Sequence, residues 1–215
     1  MRPLVILRPE PGASATAGRA RAMGLDVRAL PLFEVVPLAW QAPDPAEFDA
    51  IVMTSANAAL HGGEELERLK SLPVRAVGAA TAAAARAAGF AVAGIGAGGS
   101  GDMVLPNGER LLHLAGREHR AIGAAITIPV YESRPIEPPP TLGGLGDCVA
   151  AVHSSRAGNR LAEIIADRSR ITIAAISTAA AEACGTGWRS VHESSQPSDA
   201  ALLALAARLC DTPAR

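Results

Sequence analysis

The chain has 215 residues, of which 49% are hydrophobic and 19% charged, and its formal net charge is −1 at pH 7. This composition is typical of a folded protein and too apolar for a disordered one. Only 3% of the residues are aromatic and no basic block is present, so the chain lacks both the stacking groups and the charge that nucleic-acid binding requires.

Cysteine content and hydropathy predict a cytoplasmic protein. The three cysteines are odd in number and lack the spacing of metal ligands, so reduced thiols are expected. The first apolar run breaks after four residues at Arg8-Pro9, and no signal peptide is predicted. No run approaches the roughly 18–20 apolar residues that a membrane span needs.

Apolar runs and helix signals predict a β-α-β unit at the start of the chain and a longer β/α block after it. The predicted strands are 4–7, 26–37 (interrupted at Pro31), 50–53, 74–77, 90–95, 111–114 and 126–131, and the predicted helices are 13–23, about 56–70 and 81–88. The segment 118–125 is short for a crossover helix. A glycine-rich stretch at 94–101 fits neither a dinucleotide fingerprint nor a P-loop, so we predict a flexible connection there.

A second β/α run follows the proline-rich residues 132–140. Its predicted strands are 148–152, 171–176 and 188–192, and its predicted helices are 156–167, 178–184 and 198–209. Alternating strands and helices indicate parallel sheets. Because the N-terminal β-α-β unit cannot bury a core alone, we predict a discontinuous α/β domain of residues 1–37 plus 133–215. The inserted α/β domain is then 38–132, with two linking strands and a cleft between the domains.

Strand ends and helix starts recur at a constant spacing. Ser55 and Ser154 are 99 residues apart, and so are Gly78 and Ser177, which suggests a duplicated half. Residues with hydroxyl or amide side chains gather at these junctions: Ser55, Asn57, Thr81, Ser154, Ser155, Ser177 and Thr178. Each can be a plain helix N-cap, and together they can bind anions at the edge where open α/β sheets bind ligands.

Other chemistry finds less support in the sequence. The chain has no nucleophile elbow, no P-loop and no zinc-binding His-Glu-x-x-His. His113 and His119 have no partner cysteine, and His153 is adjacent to Ser154 on a strand, where side chains point to opposite faces. Tyr131 is the only tyrosine. It can be an amphipathic residue at a domain hinge or a phenol that donates a proton to a leaving group.

A series of motifs across the chain resembles the uroporphyrinogen-III synthase family. In order, they are Leu-Val-Ile-Leu-Arg-Pro-Glu-Pro at 4–11, Pro-Leu-Phe-Glu at 31–34, Phe-Asp-Ala-Ile-Val-Met-Thr-Ser-Ala-Asn-Ala at 48–58, Ala-Val-Gly-Ala-Ala-Thr-Ala at 76–82, Leu-His-Leu-Ala-Gly at 112–116, Val-Tyr at 130–131, Val-His-Ser-Ser-Arg-Ala at 152–157 and Ala-Ile-Ser at 175–177. Each motif is degenerate, and the specificity lies in their order.

The resemblance implies an enzyme without a cofactor or metal that closes hydroxymethylbilane into uroporphyrinogen III, with loss of water and inversion of ring D. It implies two flavodoxin-like domains joined by a two-stranded linker. Substrate binding would carry over to Arg8, Ser55, Asn57, Gly78, Thr81, Ser154 and Ser155, and assistance to the departing hydroxyl would carry over to Tyr131. The enzyme would be a cytoplasmic monomer that could receive its substrate from hydroxymethylbilane synthase.

The sequence departs from the family at two places. Ala180 occupies the position of a family threonine, so Ser177 or Thr178 supplies the hydroxyl or the contact is made by the main chain alone. The segment after Gly116 is shorter than the family's helix.

Two other classes of protein share the predicted architecture. A two-lobed binding protein without catalysis would have the same duplicated α/β units, although such modules are usually exported. A glycosyltransferase-like enzyme would show charged residues at strand ends, and a nucleotide-binding assay would distinguish it.

Overall fold

The computed structural model describes residues 1–96, 108–140 and 146–211. Its helices and strands are β1 Leu4–Ile6, α1 Gly12–Ala22, β2 Val27–Ala29, β3 Phe33–Pro37, β4 Ala50–Met53, α2 Ala56–His61, β5 Val74–Val77, α3 Ala79–Ala87, β6 Val92–Gly96, β7 Leu111–Gly116, β8 Ile126–Pro135, β9 Cys148–Val152, α4 Ser155–Ile164, β10 Ile171–Ala175, α5 Thr178–Ala183, β11 Ser190–Glu193 and α6 Asp199–Asp211. The predicted α/β class with parallel sheets is confirmed.

Contacts divide the chain into two compact units. The terminal unit comprises residues 1–34 and 135–211, within the described part of the chain, and the middle unit comprises 35–134. The chain passes from one unit to the other through β3 and β8, which are neighbours in one sheet. The predicted domain boundaries lie at the end of β3 and inside β8, and the existence of two independent domains stays a prediction.

The terminal unit contains a five-stranded sheet with the order β11-β10-β9-β1-β2. Its central strands are apolar and buried on both faces, as expected for parallel strands covered by helices. Alternate residues face two separate cores. Val5, Ala150 and Ile173 pack in one core with residues of α4 and α5, whereas Leu4, Val149 and Ala174 pack in the other with α1 and α6.

The middle unit contains a six-stranded sheet with the order β3-β8-β7-β4-β5-β6. Its larger core includes residues of α2 and α3. On the other face a small cluster joins Ile122 to β4 and β7, and residues 117–125 contain no helix. The prediction that this segment is too short for a crossover helix is therefore confirmed.

The two sheets share one strand order when β3 is set aside. Strands β8-β7-β4-β5-β6 of the middle unit correspond to β2-β1-β9-β10-β11 of the terminal unit. Strand registers agree with the 99-residue offset, because Met53 pairs with Ala76 and Val152 pairs with Ala175. The chain order is permuted, since the two strands that come last in the middle unit come first in the terminal unit.

One predicted helix is wrong. The stretch 56–70 forms the short helix α2 and then a separate 3₁₀ helix, Glu64–Leu69. The break lies at Gly62 and Gly63. Gly63 has a φ of +69°, a value that residues with a side chain rarely adopt. The spacing of apolar residues did not reveal this break, because the two helical pieces bury their apolar side chains in the same core.

The glycine-rich stretch at 94–101 falls only partly within the described residues. Its first three residues end β6, whereas residues 97–101 lie outside the described ranges, so the predicted flexible connection is not tested. Among the helices of the described chain, none is long and apolar enough to cross a membrane.

Helix α4 packs closely on α5 at Gly158. A Cβ there would lie 2.9 Å from the Ala180 carbonyl oxygen and 3.1 Å from Cys184 Sγ. We expect Gly158→Ala to lower the free energy of unfolding by about 1–3 kcal/mol through overpacking. Gly18→Ala is the matched control, since Gly18 lies in α1 with nothing within 4 Å of its Cβ position.

Urea unfolding of both variants tests this packing contact. The control should be stabilised by roughly 0.5–1 kcal/mol because alanine is the better helix former. Equal stabilisation of the two variants would show that α4 and α5 do not approach this closely.

Candidate functional site

The carboxyl ends of β9 and β10 lead directly into helices whose first residues are capped by serines. Ser154 Oγ accepts a hydrogen bond from the Ala157 N–H at 3.2 Å, and Ser177 Oγ accepts one from the Ala180 N–H at 3.3 Å. Both serines are extended, as N-caps are. Ser155 is the first residue of α4 and is half-buried.

The middle unit repeats this arrangement at β4 and β5. Ser55 caps α2 by accepting a hydrogen bond from the Asn57 N–H at 3.2 Å. Gly78 precedes α3 with a φ of +81°, so glycine is required by the backbone at this junction. The predicted caps at Ser55, Ser154 and Ser177 are therefore present in the structure.

The remaining hydroxyls at these junctions are less available. Thr81 lies in α3 and is only 4% exposed, so its side chain has almost no surface to offer a ligand in this conformation. Its counterpart Ala180 is fully buried. Thr178 donates its hydroxyl hydrogen bond to Glu193 at 2.8 Å, whereas Ser177 is engaged as a cap.

Tyr131 lies in β8 with its ring against the backbone of Gly116. A Cβ at Gly116 would lie 2.9 Å from two ring carbons and 3.1 Å from the phenol oxygen, so glycine makes room for the ring. The ring centroid lies 6.5 Å from that of His61. The main chain fixes the same strand, because the Arg117 N–H donates to the Tyr131 carbonyl at 2.8 Å.

Strand registers give Tyr131 a counterpart in the other unit. In corresponding strands, His113 pairs with Thr127 in the middle unit and Ile6 pairs with Ala29 in the terminal unit. Tyr131 lies four residues after Thr127, and Phe33 lies four residues after Ala29. The Arg156 guanidinium lies 4.3 Å from the centre of the Phe33 ring. The Pro-x-aromatic-Glu pattern at 31–34 recurs at 129–132, and this repetition could have revealed the relation from the sequence.

His113 is a buried group of the middle unit that the sequence did not assign to the site. It is 1% exposed and lies between Thr54 Oγ1 at 3.4 Å and Thr127 Oγ1 at 3.3 Å. Burial, with a smaller contribution from the nearby His119, lowers the pKa of His113 to about 4. The imidazole is therefore neutral at pH 7 and links the end of β4 to the start of β8 through two threonines.

Arg8 and His153 follow the neighbouring strands β1 and β9. Arg8 contacts Thr16 Oγ1 at 3.3 Å and Asp199 Oδ1 at 3.4 Å, and it is partly exposed. His153 Nε2 lies 3.1 Å from Asp199 Oδ1. The expectation that His153 does not pair with Ser154 agrees with this contact, but sequence reasoning missed Asp199 altogether.

In the described residues, no group of three or more histidine, cysteine or acidic side chains could hold a metal ion. The cysteines are buried, and burial raises the pKa of each thiol to about 11. Thiolate chemistry is therefore not supported at Cys148, Cys184 or Cys210. Each unit instead offers helix N–H groups and hydroxyls at the carboxyl edge of its sheet, an arrangement suited to carboxylate ligands.

A family model described as uroporphyrinogen-III synthase HemD matches residues 14–204 of the chain. The chain is similar in structure to uroporphyrinogen-III synthetase from Helicobacter pylori, with 20% identity and a TM-score of 0.70 over 97% of this chain and 100% of that one. It also matches a mutant uroporphyrinogen III synthase from Thermus thermophilus, with 17% identity and a TM-score of 0.48 over 96% and 98% of the two chains. No curated protein sequence matches it significantly.

The lowered pKa of His113 predicts a pH dependence of stability. Between pH 6.5 and pH 4 the unfolded chain binds a proton at this residue and the folded chain does not, so the free energy of unfolding falls as the pH falls. From pH 6.5 to pH 4, protonation of His113 in the unfolded chain lowers the free energy of unfolding by roughly 3 kcal/mol. His113→Asn should remove it, which urea unfolding of both proteins at several pH values would measure.

Other groups titrate over the same window in both proteins, so the tested quantity is the difference between wild type and variant. A difference that stays constant from pH 7 to pH 4 would show that His113 is not buried as a neutral group.

Proposed function

The chain belongs to the uroporphyrinogen-III synthase family, and from this membership we infer that it closes hydroxymethylbilane to uroporphyrinogen III. It is accordingly a lyase of tetrapyrrole biosynthesis. The reaction loses water and inverts ring D. The observation that carries this inference is the family match over residues 14–204, which covers every strand except β1 and every proposed site residue except Arg8.

We propose that the strand-end groups bind the carboxylates of the substrate. In the middle unit the binding groups are Ser55, Asn57 and Gly78 with the helix starts that they flank, and Thr81 contributes through its main chain. Helix N-termini present N–H groups and a partial positive charge to anions, so a substrate with eight carboxylates is well matched to such edges.

In the terminal unit the corresponding groups are Arg8, Ser154 and Ser155, at the ends of β1 and β9. At the next junction, Ser177 is engaged as a cap and Ala180 is buried, so main-chain N–H groups are the simplest replacement for the family threonine. Thr178 can contribute its hydroxyl when it leaves Glu193.

We further propose that Tyr131 assists the departure of the substrate hydroxyl. A phenol can donate a proton to the leaving oxygen, which then departs as water. Gly116 favours this role because the absence of a Cβ lets the ring lie against the strand β7 backbone. The His61 ring lies beside it, and burial lowers the pKa of His61 and favours its neutral form.

The main task of the protein is positioning. The family's chemistry implies that the bilane cyclises without help to the wrong isomer. The protein must therefore hold ring D so that it attacks through its substituted carbon, and fixed anion sites supply the required orientation. We propose that it acts as a cytoplasmic monomer and receives the bilane from hydroxymethylbilane synthase.

Isomer analysis tests the function directly. Freshly generated hydroxymethylbilane is supplied to the protein, and the products are oxidised and separated as uroporphyrin I and III. We expect isomer III to predominate in proportion to the amount of folded protein, while a heat-unfolded sample gives isomer I. Isomer I alone, at the spontaneous rate with folded protein, would contradict the synthase function and favour a binding protein.

Tyr131→Phe separates the phenol from the packing of its ring. We expect kcat to fall by up to about 100-fold, the lower end of what a general acid contributes, while isomer III stays the main product. Steady-state kinetics with isomer analysis measures both quantities. Thermal unfolding of the same variant is the control, because an unfolded variant would make Tyr131 a packing residue.

Gly116→Ala provides the complementary variant. The added methyl group must displace the Tyr131 ring, yet it leaves the phenol in the protein. A loss of kcat in this variant together with Tyr131→Phe supports a positioned phenol, whereas wild-type kcat in both variants would exclude that role.

A further inference from the structure

A cluster of charged and polar side chains surrounds Asp199 in the terminal unit. The carboxylate lies at the start of α6 and gathers residues from three other places in the chain. Arg8 follows β1, Thr16 and Arg19 lie in α1, and His153 follows β9. Asp199 therefore ties both helices of one sheet face to the edge that carries the proposed substrate-binding residues at the ends of β1 and β9.

The contacts within the cluster differ in length. Thr16 Oγ1 donates to Asp199 Oδ1 at 2.8 Å, and Arg19 Nε donates to Oδ2 at 2.9 Å. His153 Nε2 lies 3.1 Å from Oδ1. The Arg8 contact is the longest at 3.4 Å. Asp199 is thus held firmly by α1, and Arg8, which also donates to Thr16 Oγ1 at 3.3 Å, makes the longest contact with the carboxylate.

Charge in the cluster is unbalanced. Although burial raises the pKa of Asp199, hydrogen bonds from Thr16, Arg19 and His153 lower it below its ordinary value, so the carboxylate is ionised at pH 7. Burial, together with the positive charge of Arg8, lowers the pKa of His153 and favours the neutral imidazole. Two arginines then face one carboxylate, which leaves a net charge of about +1.

This excess charge is available at Arg8. The Arg8 side chain is 34% exposed, whereas the Asp199 and His153 side chains are 21% and 7% exposed. An external carboxylate can bind the exposed side of the guanidinium while Arg8 stays at Asp199, which also keeps its shorter contacts with Thr16 and Arg19. Such binding leaves no buried charge without a partner and so avoids the cost of an uncompensated buried charge.

Gly12 is a second feature that shapes the position of Arg8. A Cβ at Gly12 would lie 2.5 Å from Arg8 Nε and 2.7 Å from Cζ. The guanidinium thus lies directly against the first residue of α1, in space that no other amino acid would leave open. Two independent features, a counter-charge and a missing side chain, define where this arginine lies.

We propose that Asp199 and Gly12 are positioning residues that hold Arg8 for a carboxylate of the tetrapyrrole substrate. The proposal rests on the proposed function and adds these two residues to it. Arg8 makes the contact with substrate, and Asp199 acts only through Arg8. A purely structural role, in which Asp199 joins α1 to α6, would alter stability without altering substrate affinity.

Kinetics of three single variants and one double variant tests the proposal. Asp199→Asn removes the charge, Gly12→Ala displaces the guanidinium without changing any charge, and Arg8→Gln removes the contact itself. We expect each to raise KM for hydroxymethylbilane about tenfold, the loss of one charged hydrogen bond, with kcat nearly unchanged. Combining Asp199→Asn with Arg8→Gln should raise KM no further than Arg8→Gln alone, since both act through one contact.

Ser198→Ala is the matched control for stability. Ser198 Oγ accepts a hydrogen bond from the Ala201 N–H at the same helix start, and its side chain carries no charge that could orient Arg8. Its loss should destabilise the protein by about 1 kcal/mol, a 5-fold change in the folding equilibrium, and leave KM at the wild-type value. A rise in KM for this control would assign the effect of Asp199 to helix stability.

The outcomes separate the two proposals. A wild-type protein that yields no isomer III overturns the function and, with it, the role of Arg8. An active wild type with wild-type KM in folded Gly12→Ala and Asp199→Asn overturns the positioning role alone. If Asp199→Asn fails to fold, Gly12→Ala still decides the matter, because alanine is favourable in the helix and the variant should fold.

Discussion

Parallel pairing brings the carboxyl ends of β1, β9 and β10 to one edge of the terminal sheet, and those of β4, β5 and β7 to one edge of the middle sheet. The helices that follow β1, β4, β5, β9 and β10 start at these edges, so their free N–H groups collect there as well. Every proposed site residue depends on this constraint. Single junctions of this kind would be ordinary helix caps, whereas several at one edge form a surface that can hold a ligand with many carboxylates.

Side chains at these edges also lie very close to the backbone, and glycines make this close approach possible. Gly116 lets the Tyr131 ring lie on the β7 backbone, and Gly12 leaves the space that the Arg8 guanidinium fills. The buried imidazole of His113 also packs closely at this edge. Because it is neutral, it links two threonines without the cost of burying a charge. Polar side chains are thus held by packing as much as by hydrogen bonds.

The two units share one strand order but carry different side chains at equivalent places. Tyr131 and Phe33 occupy equivalent places, and so do Asn57 and Arg156, which lie two residues after the two capping serines. The terminal unit places a guanidinium over an aromatic ring where the middle unit has a phenol. The helix starts are therefore alike in the two units, because they depend on backbone geometry, whereas the side chains around them differ.

Local signals allowed the strands, most helices and the three serine caps to be predicted from the sequence. Strands and helices follow the spacing of apolar residues along the chain, and each cap hydrogen bond spans only two or three residues. The helix break at Gly62-Gly63 was missed although a glycine pair is a turn signal, since the apolar residues on both sides fit one continuous helix. Asp199 was missed for a different reason: its contact with Arg8 joins residues 191 positions apart. The sequence by itself thus determined the α/β class, the junctions and the family, because these depend on periodicity and short-range motifs. Only the tertiary structure decided which charges meet, how deeply His113 and Thr81 are buried and where the Tyr131 ring lies, because those properties arise from packing between distant segments.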